Sequence, residues 1–227
     1  APVNPETMPA QQKADALNSL IFLTEKQDGR IKSHICGDDS KQRHCPGYKK
    51  EDSASPTVSL EGVVLTAAIE AHEQRYIAYS DISGAFLHAK CEDCDIYMLL
   101  KGRLAELMTL VEPNLYHKQV RCNNSKGKAM LYVKMTKALY GILKSALWFY
   151  QKLKSDLQKY GFIVNPYNPC VANAMINKKQ MTVTWYVDNL KVPHEDPAEI
   201  TKFNKYLAVI YGVVLSVHRG QVHRYST

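Results

Sequence analysis

Two aspartates stand in the sequence where a folded chain could bring metal-binding carboxylates together. Asp188 and Asn189 interrupt the apolar and β-branched stretch TWYVDNLKV at 184–192, which predicts a β-hairpin with the Asp–Asn pair at its tip. Asp81 ends a second predicted strand, in RYIAYSDISGAF at 75–86. If the two strands are neighbours in one sheet, both carboxylates project from the same edge. Such a cluster, completed by waters and substrate phosphates, is what a pair of Mg²⁺ ions needs.

The same residues allow a simpler interpretation. Aspartates are common in surface turns, where the side chain hydrogen-bonds to nearby backbone. About a hundred residues separate Asp81 from Asp188, and this spacing does not show that their strands meet. Judged on the two carboxylates alone, turn chemistry is therefore favoured over a metal site.

The hydrophobic pattern predicts the elements that would position these carboxylates. Helices are predicted at about 59–74, at 145–160 with Ser145 as the N-cap, and at 197–211 before Gly212. Strands are predicted on both sides of the turn 27–29, up to Asp81, at 94–100, 131–139, 170–176 and 181–187, and as two short pieces after Gly212. Residues 1–18 are predicted to be a loose segment. This order indicates an α+β fold with helices packed on one face of an antiparallel sheet.

The composition permits a folded chain with a basic surface. At 227 residues and 45% apolar content, it can bury a core as one domain or as two small lobes. No apolar run approaches a membrane span, so no membrane partner is expected. The net charge of +7 is uneven, since Asp156 is the one acid among ten Lys and Arg residues from Lys118 to Lys159. A polyanionic partner and a merely solvated basic face both remain open.

The cysteines and the N-terminus favour an intracellular protein. The chain begins with Ala and without a leader-like segment, as expected for a piece of a longer reading frame. Cys91 and Cys94 have metal-ligand spacing, but no second pair follows, and His88 or Cys122 would have to complete a zinc site. Reduced, unpaired thiols are the favoured alternative.

Six blocks of sequence carry a family resemblance. In chain order they are IKSHICGDDSKQ at 31–42, EDSASPTVS at 51–59, SDISGAFLHAKCEDCDIYM at 80–98, KALYGILKSALWFYQKLKSDLQKYGF at 137–162, NPCVA at 168–172 and YVDN at 186–189. In these blocks the chain resembles the reverse transcriptases of copia-type long-terminal-repeat retrotransposons, from about Ser19 to Tyr225.

The resemblance implies a fold and an activity. Residues 19–227 would form the fingers and palm of a right-hand polymerase, as a fragment that ends near the primer-grip hairpin. The activity would be RNA-directed DNA synthesis with two Mg²⁺ ions, or Mn²⁺, on an RNA template, a DNA primer and deoxynucleoside triphosphates. The rest of a retrotransposon polyprotein would be a further partner, in a cytoplasmic virus-like particle, with a nuclear stage left open.

The resemblance also assigns site residues. Asp81 and Asp188 would be the metal-binding catalytic aspartates of the palm, and Asn189 would complete the catalytic box. Phe86 would be the aromatic steric gate under the incoming sugar.

Three further positions would bind the nucleotide. Tyr140 and Gly141 would line its pocket, and Lys32 would approach the triphosphate. Packing alone could account for Phe86 and Tyr140, and Lys32 could be a solvated lysine.

Three positions depart from the family pattern. Asn189 replaces the second aspartate of the box and removes one negative charge. His34 replaces an arginine that would bind phosphate through two hydrogen bonds, and Ala146 replaces a proline. The alternative function is therefore an impaired or decayed copy that at most binds nucleic acid.

Overall fold

The computed structural model of the protein describes residues 1–43, 53–91, 95–122 and 127–212. The chain divides into two compact units. Unit 1 comprises Ala1–Ala54 and Ala89–Trp148, and unit 2 comprises Ser55–His88 and Phe149–Thr227. Each unit is therefore built from two stretches that are far apart in the sequence.

The elements of both units alternate along the chain. The strands are β1 (Pro2–Val3), β2 (Leu17–Glu25), β3 (Ile31–Gly37), β4 (Tyr76–Asp81), β5 (Tyr97–Lys101), β6 (Arg121–Cys122), β7 (Ala129–Lys134), β8 (Ile163–Val164), β9 (Val171–Ile176), β10 (Lys179–Tyr186) and β11 (Asn189–His194). The α-helices are α1 (Ala10–Asp15), α2 (Ser40–Arg43), α3 (Leu60–His72), α4 (Arg103–Val111), α5 (Pro113–Tyr116), α6 (Ser145–Tyr160) and α7 (Pro197–Tyr211). One-turn 3₁₀ helices span Ala85–His88 and His117–Gln119. The two strands predicted after Gly212 lie outside the described residues.

The predicted helices are present as α3, α6 and α7, and local capping explains two of their starts. The Ser59 hydroxyl accepts a hydrogen bond from the Gly62 N–H (3.1 Å) at the start of α3. The Asp196 carboxylate accepts one from the Ala198 N–H (2.8 Å) at the start of α7. Gly212 ends α7 in the left-handed conformation (φ +62°).

Helix α6 has the predicted bounds, but Ser145 does not have the predicted capping role. Ser145 is the predicted N-cap, yet its hydroxyl donates to the Leu139 carbonyl (2.7 Å) and accepts from the Leu139 N–H (3.1 Å). Ser145 therefore closes the preceding loop instead of capping the helix. The predicted apolar face is buried, with Phe149, Leu153 and Leu157 at most 1% exposed.

Unit 1 contains a six-stranded sheet. Its order is β1-β7-β5-β2-β3, with β6 also paired to β7. Strands β2 and β5 are parallel, with Leu17 opposite Met98, whereas the other pairs are antiparallel. A buried apolar cluster lies against this sheet, formed by Met98, Leu100, Ala105, Ala129 and Leu131.

The N-terminal residues are part of this unit, so the prediction of a loose segment at 1–18 is wrong for most of its length. Pro2 pairs with Val133 in β7, and the Ala1 amino group donates to the Lys134 carbonyl (2.7 Å). Helix α1 follows, and Met8 is buried. The polar composition of these residues did not indicate this structure, because their pairing partners in β7 lie more than a hundred residues away in the sequence.

Unit 2 contains a five-stranded sheet of order β4-β11-β10-β9-β8, antiparallel throughout. Helices α6 and α7 pack on one face. The Tyr150 ring stacks on Trp185 with centroids 6.2 Å apart, and the Ser80 hydroxyl donates to the Asn204 side chain (3.4 Å). The antiparallel sheet and the packing of α6 and α7 on one face agree with the prediction, whereas the predicted helix α3 does not share that face.

The opposite face of this sheet is contacted by α3 and the residues after it. Successive side chains of a strand point to opposite faces, and Lys191 follows Leu190 in β11. The Lys191 side chain therefore lies on this second face, where it pairs with Glu70 of α3. The buried Arg75 guanidinium donates to the Thr182 hydroxyl (3.0 Å) on the same face.

Asp156 joins α6 to α7 in the interior of unit 2. Its carboxylate accepts hydrogen bonds from the Tyr211 hydroxyl (2.8 Å), Lys152 (2.7 Å) and Lys159 (3.2 Å). Burial on its own would raise the pKa of this carboxyl, but the bonds from Lys152, Tyr211 and Lys159 outweigh it and lower the pKa below its ordinary value. A lowered folded-state pKa stabilises the fold above the unfolded-state pKa, and this stability is lost as pH falls through the folded-state pKa.

Asp156→Asn is therefore expected to lower the free energy of unfolding at pH 7 by about 2–3 kcal/mol. The variant should also lose less stability than the unaltered protein as the pH falls below about 4. Urea denaturation across that pH range measures both effects. Glu195→Gln is the control, because Glu195 forms a more exposed pair with Lys179 (2.8 Å) and should contribute less than about 1 kcal/mol. Equal losses in the two variants would contradict the role of Asp156.

Candidate active site

The hairpin β10–β11 presents its turn one residue earlier than predicted. Tyr186 pairs with Asn189, so the two turn residues are Val187 and Asp188, and Asn189 begins β11. The prediction of an Asp188–Asn189 tip is therefore wrong. The physical reason is that Asn189 has backbone partners on both sides, because it also pairs with Asp81 of β4.

The backbone at Asp81 lies next to the β10–β11 turn that carries Asp188, at one edge of the unit 2 sheet. Asp81 ends β4 directly opposite Asn189, and directly opposite residues have Cβ atoms about 4.5–5.5 Å apart. The next residue, Ile82, donates its N–H to the Asp188 carbonyl (3.0 Å). These backbone contacts hold the turn beside the end of β4.

Asn189 interacts with the adjacent aspartate. Its side-chain nitrogen donates a hydrogen bond to the Asp188 carboxylate (3.0 Å). An aspartate at this position would instead place a second negative charge beside Asp188. The amide therefore orients Asp188 without adding to the negative charge of the edge.

Val187 occupies a strained conformation at this turn. Its φ is +56°, a region that β-branched residues rarely adopt. Such outliers persist where surrounding structure holds them, and they are concentrated at functional sites. No pattern in the sequence indicated this residue, because the strain arises from the pairing on both sides of it.

A cleft of about 450 Å³ lies on the face of the unit 2 sheet that α3 contacts. Its walls include Asp81 and Asn189, the next pair along the strands, Tyr79 and Lys191, and Val63 of α3. The cleft therefore combines apolar walls with the carboxylate edge. Lys191 and its partner on α3 are further charged residues of this region that the sequence analysis missed.

The donor set at the edge fits a magnesium site that substrate completes. Within the described residues, no group of three or more His, Cys, Asp and Glu side chains is arranged to hold a metal ion. The edge offers the carboxylates of Asp81 and Asp188 and the side-chain oxygen of Asn189. Mg²⁺ keeps several waters and commonly takes only one or two carboxylates plus substrate phosphates.

Phe86 also belongs to unit 2. It lies in the 3₁₀ helix after β4, is 9% exposed, and packs against Phe149 with ring centroids 6.3 Å apart. Packing accounts for most of the ring surface, so a steric-gate role stays a prediction.

The other predicted nucleotide-binding residues belong to unit 1. Lys32 is exposed on β3, opposite Thr24 of β2. The His34 ring packs edge-on to Tyr140 with centroids 6.1 Å apart. The structure thus brings His34 and Tyr140 together, while the contact of Lys32 or Tyr140 with a nucleotide stays a prediction.

Gly141 has a structural reason to be glycine. Its φ is +80°, and a Cβ at this position would lie 1.9 Å from the Gly37 carbonyl oxygen. The Gly37 N–H also donates to the Tyr140 carbonyl (2.8 Å), which draws the two backbones together. A side chain at 141 is therefore incompatible with this contact.

Gly141→Ala is expected to lower the free energy of unfolding by more than about 3 kcal/mol, because it adds a backbone clash to the cost of a positive φ. Gly29→Ala is the matched control, since Gly29 has φ +77° and a Cβ added there would meet no atom within 4 Å. The control should cost about 1 kcal/mol. Chemical denaturation of both variants measures the difference, and equal costs would show that the close approach is unimportant.

The Cys91–Cys94 pair lies only partly within the described residues. Cys91 is partly buried, but Cys94 lies outside the described residues. Cys122 is exposed. Burial raises the pKa of the Cys170 thiol to about 11, so this thiol is protonated and packs as a small apolar group.

Comparison with known proteins gives a family match over most of the chain. A profile described as "Reverse transcriptase (RNA-dependent DNA polymerase)" matches residues 7–215. A comparison with curated proteins found no match. No helix in the described part of the chain combines the length and apolar character that crossing a membrane requires.

Two solved foamy virus structures are similar to the chain. The first is a foamy viral protease-reverse transcriptase in complex with double-stranded DNA, with 14% identity, 88% of this chain covered and a TM-score of 0.35. The second is the native protease-reverse transcriptase of Prototype Foamy Virus, with 16% identity, 96% of this chain covered and a TM-score of 0.39. The chain spans about a quarter of each, 26% and 25%.

Proposed function

Because the chain belongs to the reverse transcriptase (RNA-dependent DNA polymerase) family, we propose that the carboxylate edge of unit 2 is its nucleotidyl-transfer site. The observation that carries this proposal is the register of β4 and β11, in which Asp81 lies opposite Asn189. The hydrogen bond from the Ile82 N–H to the Asp188 carbonyl holds Asp188 beside the end of β4. The reaction would join the 3′-hydroxyl of a DNA primer to the α-phosphate of a deoxynucleoside triphosphate, with RNA as template. Pyrophosphate would leave.

Asp81 and Asp188 would hold two Mg²⁺ ions, or Mn²⁺, which when bound activate the attacking hydroxyl and neutralise the leaving oxygens. Asn189 would orient Asp188 through the hydrogen bond between their side chains. The strained turn at Val187 would keep the Asp188 carboxylate at the end of β4. The chain's own contribution is therefore positioning and a fixed negative potential.

Residues outside this edge would bind the substrates. Phe86 would restrict the 2′ position of the sugar, and Lys32, Tyr140 and Gly141 would contact the nucleotide. The basic stretch from Lys118 to Lys159 would contact phosphates, although Lys152 and Lys159 are already paired with Asp156.

The finer assignment follows the sequence resemblance. The chain would be the fingers and palm of a copia-type retrotransposon polyprotein, acting in a cytoplasmic virus-like particle. Its partners would be the rest of the polyprotein, the RNA template and the DNA primer.

A second candidate function is nucleic-acid binding without catalysis. Asn189 favours it, because the edge carries two carboxylates where the family pattern has three acidic positions. Primer extension distinguishes the two candidates.

Asp188→Asn in the full-length protein is expected to reduce primer extension on an RNA template by at least about a hundredfold, because metal-bound carboxylates contribute several kcal/mol of charge stabilisation. Glu195→Gln is the control, since it neutralises a carboxyl just beyond the far end of β11. Salt-sensitive binding of template and primer, with no extension by the unaltered protein, would support the second candidate and overturn the first.

Asn189→Asp should act in opposite directions with and without metal. Without divalent ions, repulsion between carboxylates about 4 Å apart should destabilise the turn by about 1 kcal/mol. With Mg²⁺, the added anionic ligand should lower the concentration needed for half-maximal extension several-fold. Thermal unfolding and Mg²⁺ titrations measure the two effects. An unchanged Mg²⁺ requirement would mean that position 189 does not face the metal.

A further inference from the structure

Lys191 lies within side-chain reach of Asp81. Lys191 is opposite Tyr79 in the β4–β11 register, and Asp81 is two residues further along β4, so the side chains of Asp81 and Lys191 are on the same face. Diagonal neighbours of this kind are about 7–8 Å apart at the backbone, which a lysine side chain can span. Both residues also line the same cleft.

The ammonium group of Lys191 is held elsewhere, by Glu70 of α3. The two groups form an ion pair in which the Glu70 side chain is 3% exposed and that of Lys191 is 17% exposed. The second carboxylate oxygen of Glu70 is buried, and among the described residues no hydrogen-bond partner contacts it. A buried carboxylate with little other stabilisation depends strongly on its cation.

Lys191 therefore has two carboxylates that it can reach, in different environments. Glu70 is buried, whereas Asp81 is exposed. An exposed ion pair contributes little, because water solvates both charges, so the pair with Glu70 is preferred. If Lys191 paired with Asp81 instead, its positive charge would compete with a divalent cation for that carboxylate.

We propose that Glu70 is a positioning residue that holds the Lys191 ammonium away from Asp81 and so keeps this carboxylate available to a divalent cation. The inference rests on the proposed metal site at the edge. It assigns the Glu70–Lys191 pair a role in metal affinity in addition to its role in joining α3 to β11.

The test is Mn²⁺ binding to the protein without nucleic acid, followed by the loss of the free-ion electron paramagnetic resonance signal. Glu70→Gln preserves the shape of the side chain and removes its charge, which frees the ammonium to approach Asp81. We expect Mn²⁺ to bind about five- to tenfold more weakly, as a unit positive charge near the site would require. The double variant Glu70→Gln/Lys191→Met should bind Mn²⁺ as the unaltered protein does.

Each outcome decides between a positioning and a structural role. A loss of affinity that Lys191→Met restores supports the proposal, whereas a loss that persists in the double variant would show that Glu70 only maintains the fold. Affinity within twofold of the unaltered protein in Glu70→Gln would also overturn it. Glu195→Gln is the matched control, because it releases Lys179 from an ion pair that lies far from Asp81 in the sheet.

Two further arms keep the result interpretable. If Glu70→Gln does not fold, as judged by circular dichroism, Glu70→Asp replaces it; the shorter side chain should weaken Mn²⁺ binding to a smaller extent, and unchanged affinity would overturn the proposal. If the unaltered protein binds no Mn²⁺, or binds it equally well as Asp81→Asn, the proposed metal site itself fails. That result is distinct from a site that binds Mn²⁺ but is insensitive to Glu70.

Discussion

The backbone register between β4 and β11 is the constraint on which the candidate site depends. Because Asn189 pairs with both Tyr186 and Asp81, the turn of the hairpin is confined to Val187 and Asp188. A shift of one residue would turn every side chain of β11 to the other face. The hydrogen bond from Ile82 to the Asp188 carbonyl secures the same alignment. The positive φ of Val187 is the local cost of this alignment.

Charge at this edge is controlled by burial as much as by residue type. Asp81 is exposed and can bind a cation that keeps part of its water shell. Glu70 is buried and requires a cationic side chain of the protein as its partner. The same contrast applies on the other face of the sheet, where the buried carboxylate of Asp156 forms ion pairs with Lys152 and Lys159, two lysines of the basic stretch. Counting charges in the sequence therefore overstates the positive surface that is open to a polyanion.

The sequence predicted elements well where local interactions determine them. Helix α7 has the predicted bounds because Asp196 and Gly212 supply a cap and a stop within the helix's own neighbourhood. Prediction was wrong where distant partners decide. The N-terminal residues pair with β7, and Ser145 bonds to Leu139 instead of capping α6. No element was predicted between residues 102 and 122, where α4 and α5 form.

By itself, the sequence determined the type and order of most elements of unit 2, the two aspartates, and the family blocks around them. These depend on side-chain periodicity, capping residues and composition, which are local properties. Only the tertiary structure decided that Asn189 lies opposite Asp81, that Gly141 meets the Gly37 backbone, and that Lys191 pairs with Glu70. Each of these contacts joins residues that are distant in sequence, so its geometry follows from strand register and packing, which residue spacing does not encode.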